Sequence, residues 1–185
     1  MKIAYADPPY PGCAKLYKHH PDYAGEVDHA ALVKRLLSDF DGFVLHTAST
    51  TLHQVLPLVP PDTRVMAWVK PFAAFKRNVP VAYAWEPVLV RPCRKQVVSG
   101  RIVMRDWVSE SITMKKGLTG AKPRAVCEWA FEMVGAVPED DLSDLFPGTG
   151  AVWAAWCDWR ACLAAAAWKA ARHPEAVSPE MGESP

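Results

Sequence analysis

Disulfide and zinc chemistry find little to work with in this chain. Its five cysteines are an odd number, and no Cys-x-x-Cys pair occurs among them. No disulfide framework or structural zinc spacing follows from that pattern, and the expected role of each cysteine is a small buried hydrophobe. Long apolar runs are missing too. The richest, residues 151–168, is interrupted by Asp158 and Arg160, so no membrane span is expected. The first residues read as a strand and carry no signal-peptide pattern, which with the cysteine usage points to a cytoplasmic protein. Net charge is only +1 over 185 residues. What the chain does have is apolar bulk: half of it is hydrophobic, with eight tryptophans, enough for one α/β domain with a sizeable core.

The charge that exists is unevenly spread. Residues 91–124 hold nine basic side chains against Asp106 and Glu110, so the remainder is acidic. A basic stretch on a near-neutral protein suggests one polyanion contact, with a solvated charged loop as the alternative.

Periodicity and breakers order the chain. Residues 2–5 predict a strand and 26–40 a helix ended by Asp41-Gly42. Residues 42–47 predict a second strand, 50–58 a short helix stopped by prolines, and 64–69 and 86–90 two further strands. Residues 97–107 suggest a hairpin turning at Ser99-Gly100. Pro123 opens a helix over 124–134, 142–146 predict a strand, and 151–159 a helix. A last strand is expected over 162–168, followed by a disordered Pro/Glu/Ser-rich tail over 171–185. The sum is an α/β sheet with an antiparallel element near its end.

Two stretches carry chemistry. The first is Asp7-Pro8-Pro9-Tyr10, directly after the first strand. Each proline fixes φ and removes an N–H donor, and each restricts the residue before it. The turn therefore presents acceptors, the Asp7 carboxylate and the Pro8 carbonyl, beside the Tyr10 ring. Two acceptors and a flat ring suit the exocyclic amine of a nucleobase; a plain strand-end turn is the alternative. The loop that follows, with Lys15 and Lys18, is placed to close over a base or to touch phosphate. His19 and His20 have no carboxylate or cysteine pattern beside them, so no metal is expected.

The second stretch is Asp144-Leu145-Phe146-Pro147-Gly148-Thr149-Gly150, between a predicted strand and helix. Glycines there let backbone approach a ligand, and the helix start favours negative charge. The third glycine of the dinucleotide fingerprint is absent, which argues against nicotinamide or flavin.

Asp7 to Tyr10, then Lys122-Pro123 at a helix start, then Asp144 to Gly150, in that order, closely resemble the permuted amino-methyltransferases. These include bacterial and phage DNA N6-adenine enzymes and messenger-RNA adenine enzymes. The strands Trp68-Val69-Lys70-Pro71 and Trp85-Glu86-Pro87-Val88-Leu89 also look like that family, and the resemblance covers roughly residues 1–168.

The resemblance implies a Rossmann-like class I methyltransferase sheet, circularly permuted, in three αβα layers. It would be one domain over residues 1–170 with a basic target-recognition insertion at about 91–121. It implies S-adenosylmethionine as cofactor, held by Asp7, Lys122, Asp144, Phe146, Gly148 and Gly150. Catalysis would fall to Asp7, Pro8, Pro9 and Tyr10, acting on N6 of adenine in duplex DNA with the base flipped out. Phosphate would be gripped by Lys15, Lys18, Arg94, Lys95, Arg101, Arg105, Lys115 and Lys116. N4-cytosine or RNA adenine methylation uses the same motif, and a non-catalytic binding subunit would keep the fold. Cytosine C5 methylation needs a cysteine nucleophile, and Pro92-Cys93 follows no suitable strand loop. Monomer and homodimer both remain open. One departure stands out: relatives often carry a ribose-binding acid at the end of the strand expected over 162–168, and this sequence has none there, Trp168 being an alternative cover for the cofactor. The sheet is also expected to be short of the strand that usually follows.

Overall fold

Lys2–Ala6 forms β1, and its last four residues are buried because it pairs in parallel on both sides. The computed structural model describes residues 1–19, 23–72, 79–95, 104–113 and 121–172, the last five of these by backbone alone. The other strands are β2 (Gly42–His46), β3 (Arg64–Val69), β4 (Trp85–Arg91), β5 (Trp107–Ser109) and β6 (Asp141–Asp144). They join in one sheet of order β5-β3-β4-β2-β1-β6. β4 runs antiparallel to β2 and β3, and the other pairings are parallel.

Alternation along the strands sorts side chains to two faces. Ile3, Tyr5, Val44, Trp68 and Val88 pack under α3 (Arg124–Val134) and α4 (Ala151–Arg172). Ala4, Ala6, Phe43, Leu45 and Leu89 pack with α1 (His29–Asp39) and the short α2 (Leu52–Val55). The result is three layers, α/β/α. α1 starts at His29, later than its apolar pattern, because the Asp28 side chain accepts from the Ala31 amide at 2.9 Å and caps it. α3 ends at Gly135, whose φ of 77° lies in the left-handed region.

One predicted element is corrected. Residues 162–168 are not a strand: α4 runs unbroken from Ala151 to Arg172. Four successive alanines at 164–167 have the highest helix propensity, and no proline or glycine interrupts the run. The strand on which a ribose-binding acid was sought therefore does not exist at that place. The helix expected over 50–58 is split, with a 3-10 turn Leu56–Leu58 after α2, where Pro57 removes an amide donor. Most of the expected hairpin over 97–107 lies outside the described residues. Trp107 instead opens β5, which pairs in parallel with β3.

The chain leaves β1 toward α1 on one face and leaves β6 toward α4 on the other. The loops after these adjacent strands therefore part at a crevice beyond their carboxyl ends, where open α/β sheets bind ligands.

Candidate functional site

Asp7 is the first residue past β1, and the two prolines after it hold the loop in extended backbone. Pro8 is buried; Asp7, Pro9 and Tyr10 are half-buried. Lys122 immediately precedes Pro123 and α3, and its side chain is only 6% exposed. Its ammonium lies 3.1 Å from Asp7 Oδ1 and 3.0 Å from Glu86 Oε2, and donates to the Tyr10 hydroxyl at 3.1 Å. The Tyr10 hydroxyl donates in turn to Glu86 Oε2 at 2.7 Å, leaving the 3.4 Å approach to Asp7 Oδ1 as a weaker contact. Lys70, after β3, donates to Glu86 Oε1. Lys122 and Lys70 also sit over the Trp68 ring, at 5.0 and 4.7 Å from its centroid. Five polar residues from four places in the chain thus form one network at the carboxyl end of the parallel strands.

The network separates its two carboxylates. Burial pushes Glu86 up, but Lys122 and Lys70 outweigh it and hold the group at about 2. Burial also pushes Asp7 up, and there the single ammonium of Lys122 does not cancel it, so the carboxyl stays above its ordinary value. Burial pulls Lys122 down, yet Asp7 and Glu86 together keep it raised and charged. Two neighbouring carboxyls with affinities pushed apart divide into one that stays ionised and one that can accept a proton. Among the described residues, the contacts of Asp7 fall on Oδ1, which leaves Oδ2 for a ligand hydrogen.

Below this layer His46, the last residue of β2, is fully buried and kept neutral chiefly by burial. Its Nε2 lies 2.7 Å from the Tyr5 hydroxyl, and its Nδ1 has no partner. Thr47 Oγ1 and Asp144 Oδ2 are likewise buried without partners. These three atoms lie at the ends of β2 and β6, on either side of β1.

Asp144 closes β6 beside β1, in register with Tyr5. Its Oδ1 accepts from the Phe146 amide at 3.2 Å, and burial raises its proton affinity. Phe146 packs against the α1 side of the core. Gly148 and Gly150 have φ of 44° and 73°, and a Cβ built on Gly150 would meet nothing within 4 Å. The turn therefore needs glycine for its conformation, and open space lies beside it. A concavity of about 290 Å³ reaches from Thr113 and Lys122 to Thr149, Ala151 and Asp158. A second concavity, about 670 Å³, is away from the network and is lined by Val65, Val69, Trp85 and Trp107.

The basic residues distribute differently. Lys15 and Lys18 are exposed on the loop after β1, Lys15 within the 3-10 turn Ala14–Tyr17. Arg105 is exposed, with its guanidinium 5.2 Å from the Trp107 ring centroid. Arg94 is used internally: it donates to the Gly135 carbonyl at 2.8 Å and lies 2.5 Å from Asp140, which also binds the Met1 amino group at 2.9 Å. That cluster is at the opposite end of the sheet from Asp7, because β4 runs antiparallel and delivers residues 92–95 there. Arg94, expected to grip phosphate, is thus engaged in an ion pair at this end of the sheet. Lys95 is exposed beside it. Arg101, Lys115 and Lys116 lie outside the described residues.

Sequence reasoning passed over Glu86 and Lys70 as site residues. A signal was available: a glutamate inside Trp85-Glu86-Pro87-Val88-Leu89-Val90 is costly to bury unless charged partners meet it. Among the described residues no group of three metal-ligating side chains converges. No described helix is long and apolar enough to cross a membrane.

No family model matches the chain, and no curated protein does. Solved structures do. The SAM complex of M1.HpyAVI aligns with a TM-score of 0.57 at 17% identity, over 85% of this chain and 78% of that one. A second structure of M1.HpyAVI gives 0.52 at 16% identity, over 86% and 76%. The chain therefore has the α/β fold of these structures, and its candidate site must be judged on its own residues.

Proposed function

We propose that this protein transfers the methyl group of S-adenosylmethionine to the N6 amine of adenine in DNA. The observation that carries the reading is the Asp7–Lys122–Glu86–Tyr10 network, set one strand from the glycine turn of Asp144 to Gly150. The likeness to a structure solved as a SAM complex supports the choice of cofactor.

The residues present fit that cofactor. The unpartnered Asp144 Oδ2 offers an acceptor to its polar groups, and the open space at Gly150 lets backbone come close to it. Phe146 and the concavity beside Lys122 supply apolar and charged walls. When bound, the cofactor supplies an electrophilic methyl group on a sulfonium.

Everything else falls to the chain. The adenine amine is a poor nucleophile because its lone pair is delocalised into the ring. Hydrogen bonds from its two hydrogens to Asp7 Oδ2 and the Pro8 carbonyl favour a pyramidal nitrogen with its lone pair available. Catalysis is then positioning and electrostatics. A base in duplex DNA must leave the stack at a cost of a few kcal/mol, partly offset by contact with Tyr10. Among the described residues, Lys15, Lys18 and Arg105 are exposed cations that could meet phosphate.

The test is nucleoside analysis of DNA from cells producing the wild type or Asp7→Ala, with S-adenosylmethionine binding to both measured by calorimetry. Expected are N6-methyladenine with the wild type only and binding by both. N4-methylcytosine would replace adenine as the target, and no methylated base from a binding-competent wild type would refute catalysis on DNA.

A further inference from the structure

We infer that Glu86 is a positioning residue for Asp7: it takes a share of the Lys122 ammonium and fixes the Tyr10 hydroxyl, so that Asp7 can take the proton shed by the methylated amine. This rests on the function proposed above and adds a residue and a proton path to it.

The geometry comes first. Glu86 is the second residue of the antiparallel strand β4, so it enters the sheet at the end where β1, β2 and β3 leave it, opposite Trp68. Its carboxylate meets three donors from three other places: Lys70, Lys122 and Tyr10. A buried ion pair is often no more stabilising than well-packed apolar residues of the same volume, so packing alone gives no reason for a glutamate here. Lys122 is nearly equidistant from Asp7 and Glu86, at 3.1 and 3.0 Å. With Glu86 present, Asp7 is only partly neutralised.

The proposed reaction needs such a base. As the nitrogen–carbon bond forms, the carbon–sulfur bond breaks and its electron pair goes to sulfur. The nitrogen is left with one proton too many and a positive charge. That proton passes to Asp7 Oδ2, giving a neutral methylamine and a neutral carboxylic acid, and water takes it from Asp7 after product leaves.

The groups acting on Asp7 come from every side. Lys122 at the start of α3 lowers its proton affinity, whereas Glu86 on β4 raises it. Lys70 acts on Glu86. Asp144 on β6, and Tyr10 and Tyr17 on the loop after β1, also face it. His46 on β2 is neutral. Replacing Glu86 by Gln removes a negative charge and leaves two ammonium groups less compensated. Both changes lower the proton affinity of Asp7.

The experiment is a ¹³C NMR titration of the Asp7 carboxyl in the wild type and Glu86→Gln, paired with kcat and KM against pH for methyl transfer to DNA. The midpoint, and with it the acid limb of kcat, is expected to move down by about one pH unit. The kcat is expected to drop about tenfold with KM for DNA unchanged, as for an interaction made in the transition state. If Glu86→Gln does not fold, Glu86→Asp is read in the same titration, with a smaller downward shift expected. An unchanged Asp7 midpoint overturns the inference whether or not the protein methylates DNA. A midpoint shifted down in Glu86→Gln, with a wild type that transfers no methyl group, supports the positioning role and overturns the functional reading instead.

Discussion

Lys122→Met removes the charge that two buried carboxylates share. In the wild type the ammonium is 3.1 Å from Asp7 and 3.0 Å from Glu86, with only 6% of its side chain exposed. Removing one partner of a buried pair costs about 3–5 kcal/mol, because the remaining charge is left uncompensated. With a urea m-value of about 2 kcal/mol/M, a loss of about 4 kcal/mol lowers the unfolding midpoint by about 2 M near pH 7. The loss depends on pH, and its sign follows from the shifts. Glu86 is held at about 2, below its ordinary 4.5, so its pairing stabilises the fold above the unfolded value and is lost as pH falls toward 2. Lys122 is raised, so its share is present below its unfolded value and lost only in strong alkali. Without Lys122, burial is opposed on Asp7 only by the Tyr10 hydroxyl and on Glu86 only by Lys70 and Tyr10, so both carboxyls bind protons more readily. The difference between variant and wild type should therefore shrink as pH falls from about 7 to about 4, where the carboxyls are protonated rather than buried as anions. Urea melts of both proteins across that range measure it. A midpoint unchanged near neutrality, or a deficit as large in acid as at neutrality, would refute the assignment of Lys122 as the shared counter-ion.

Three further outcomes concern other parts of the molecule. A Cβ on Gly42 would stand 2.5 Å from the Cys93 amide nitrogen and 2.6 Å from its Cα, and backbone cannot yield there. Gly42→Ala should thus cost about 2 kcal/mol and lower Tm by about 4–8 °C in a thermal melt, against no change if the two strands' ends are loosely packed. Lys15→Gln with Lys18→Gln should flatten the plot of log DNA affinity against log salt by up to about 2, at about 0.9 per phosphate contact. Arg94→Gln should leave that slope alone and lower stability, because its partners are Asp140 and Gly135. A slope lost with Arg94 and kept without the two lysines would place the nucleic acid at the other end of the sheet.

Local chemistry by itself determined much of this protein. Two prolines after Asp7 dictate an extended, acceptor-rich turn whatever surrounds it, and the apolar runs at 2–5, 42–47 and 64–69 dictate buried strands. Gly148 and Gly150 announce a tight turn because few other residues adopt positive φ. The helix over 162–168 is also legible in the alanine run, whose helix propensity outweighs the strand that the family pattern implies there. What only the tertiary structure decided is which charges meet. Glu86, Lys70, Lys122 and Asp7 are far apart in the chain, and nothing local says that antiparallel β4 delivers Glu86 to the carboxyl ends of β1 and β3. The same reversal carries Arg94 away from Asp7 and into an ion pair with Asp140, although its sequence neighbourhood looks like a phosphate grip. Coulomb interactions depend on distance through space, and strand direction sets that distance; the one-dimensional pattern of charges does not contain it.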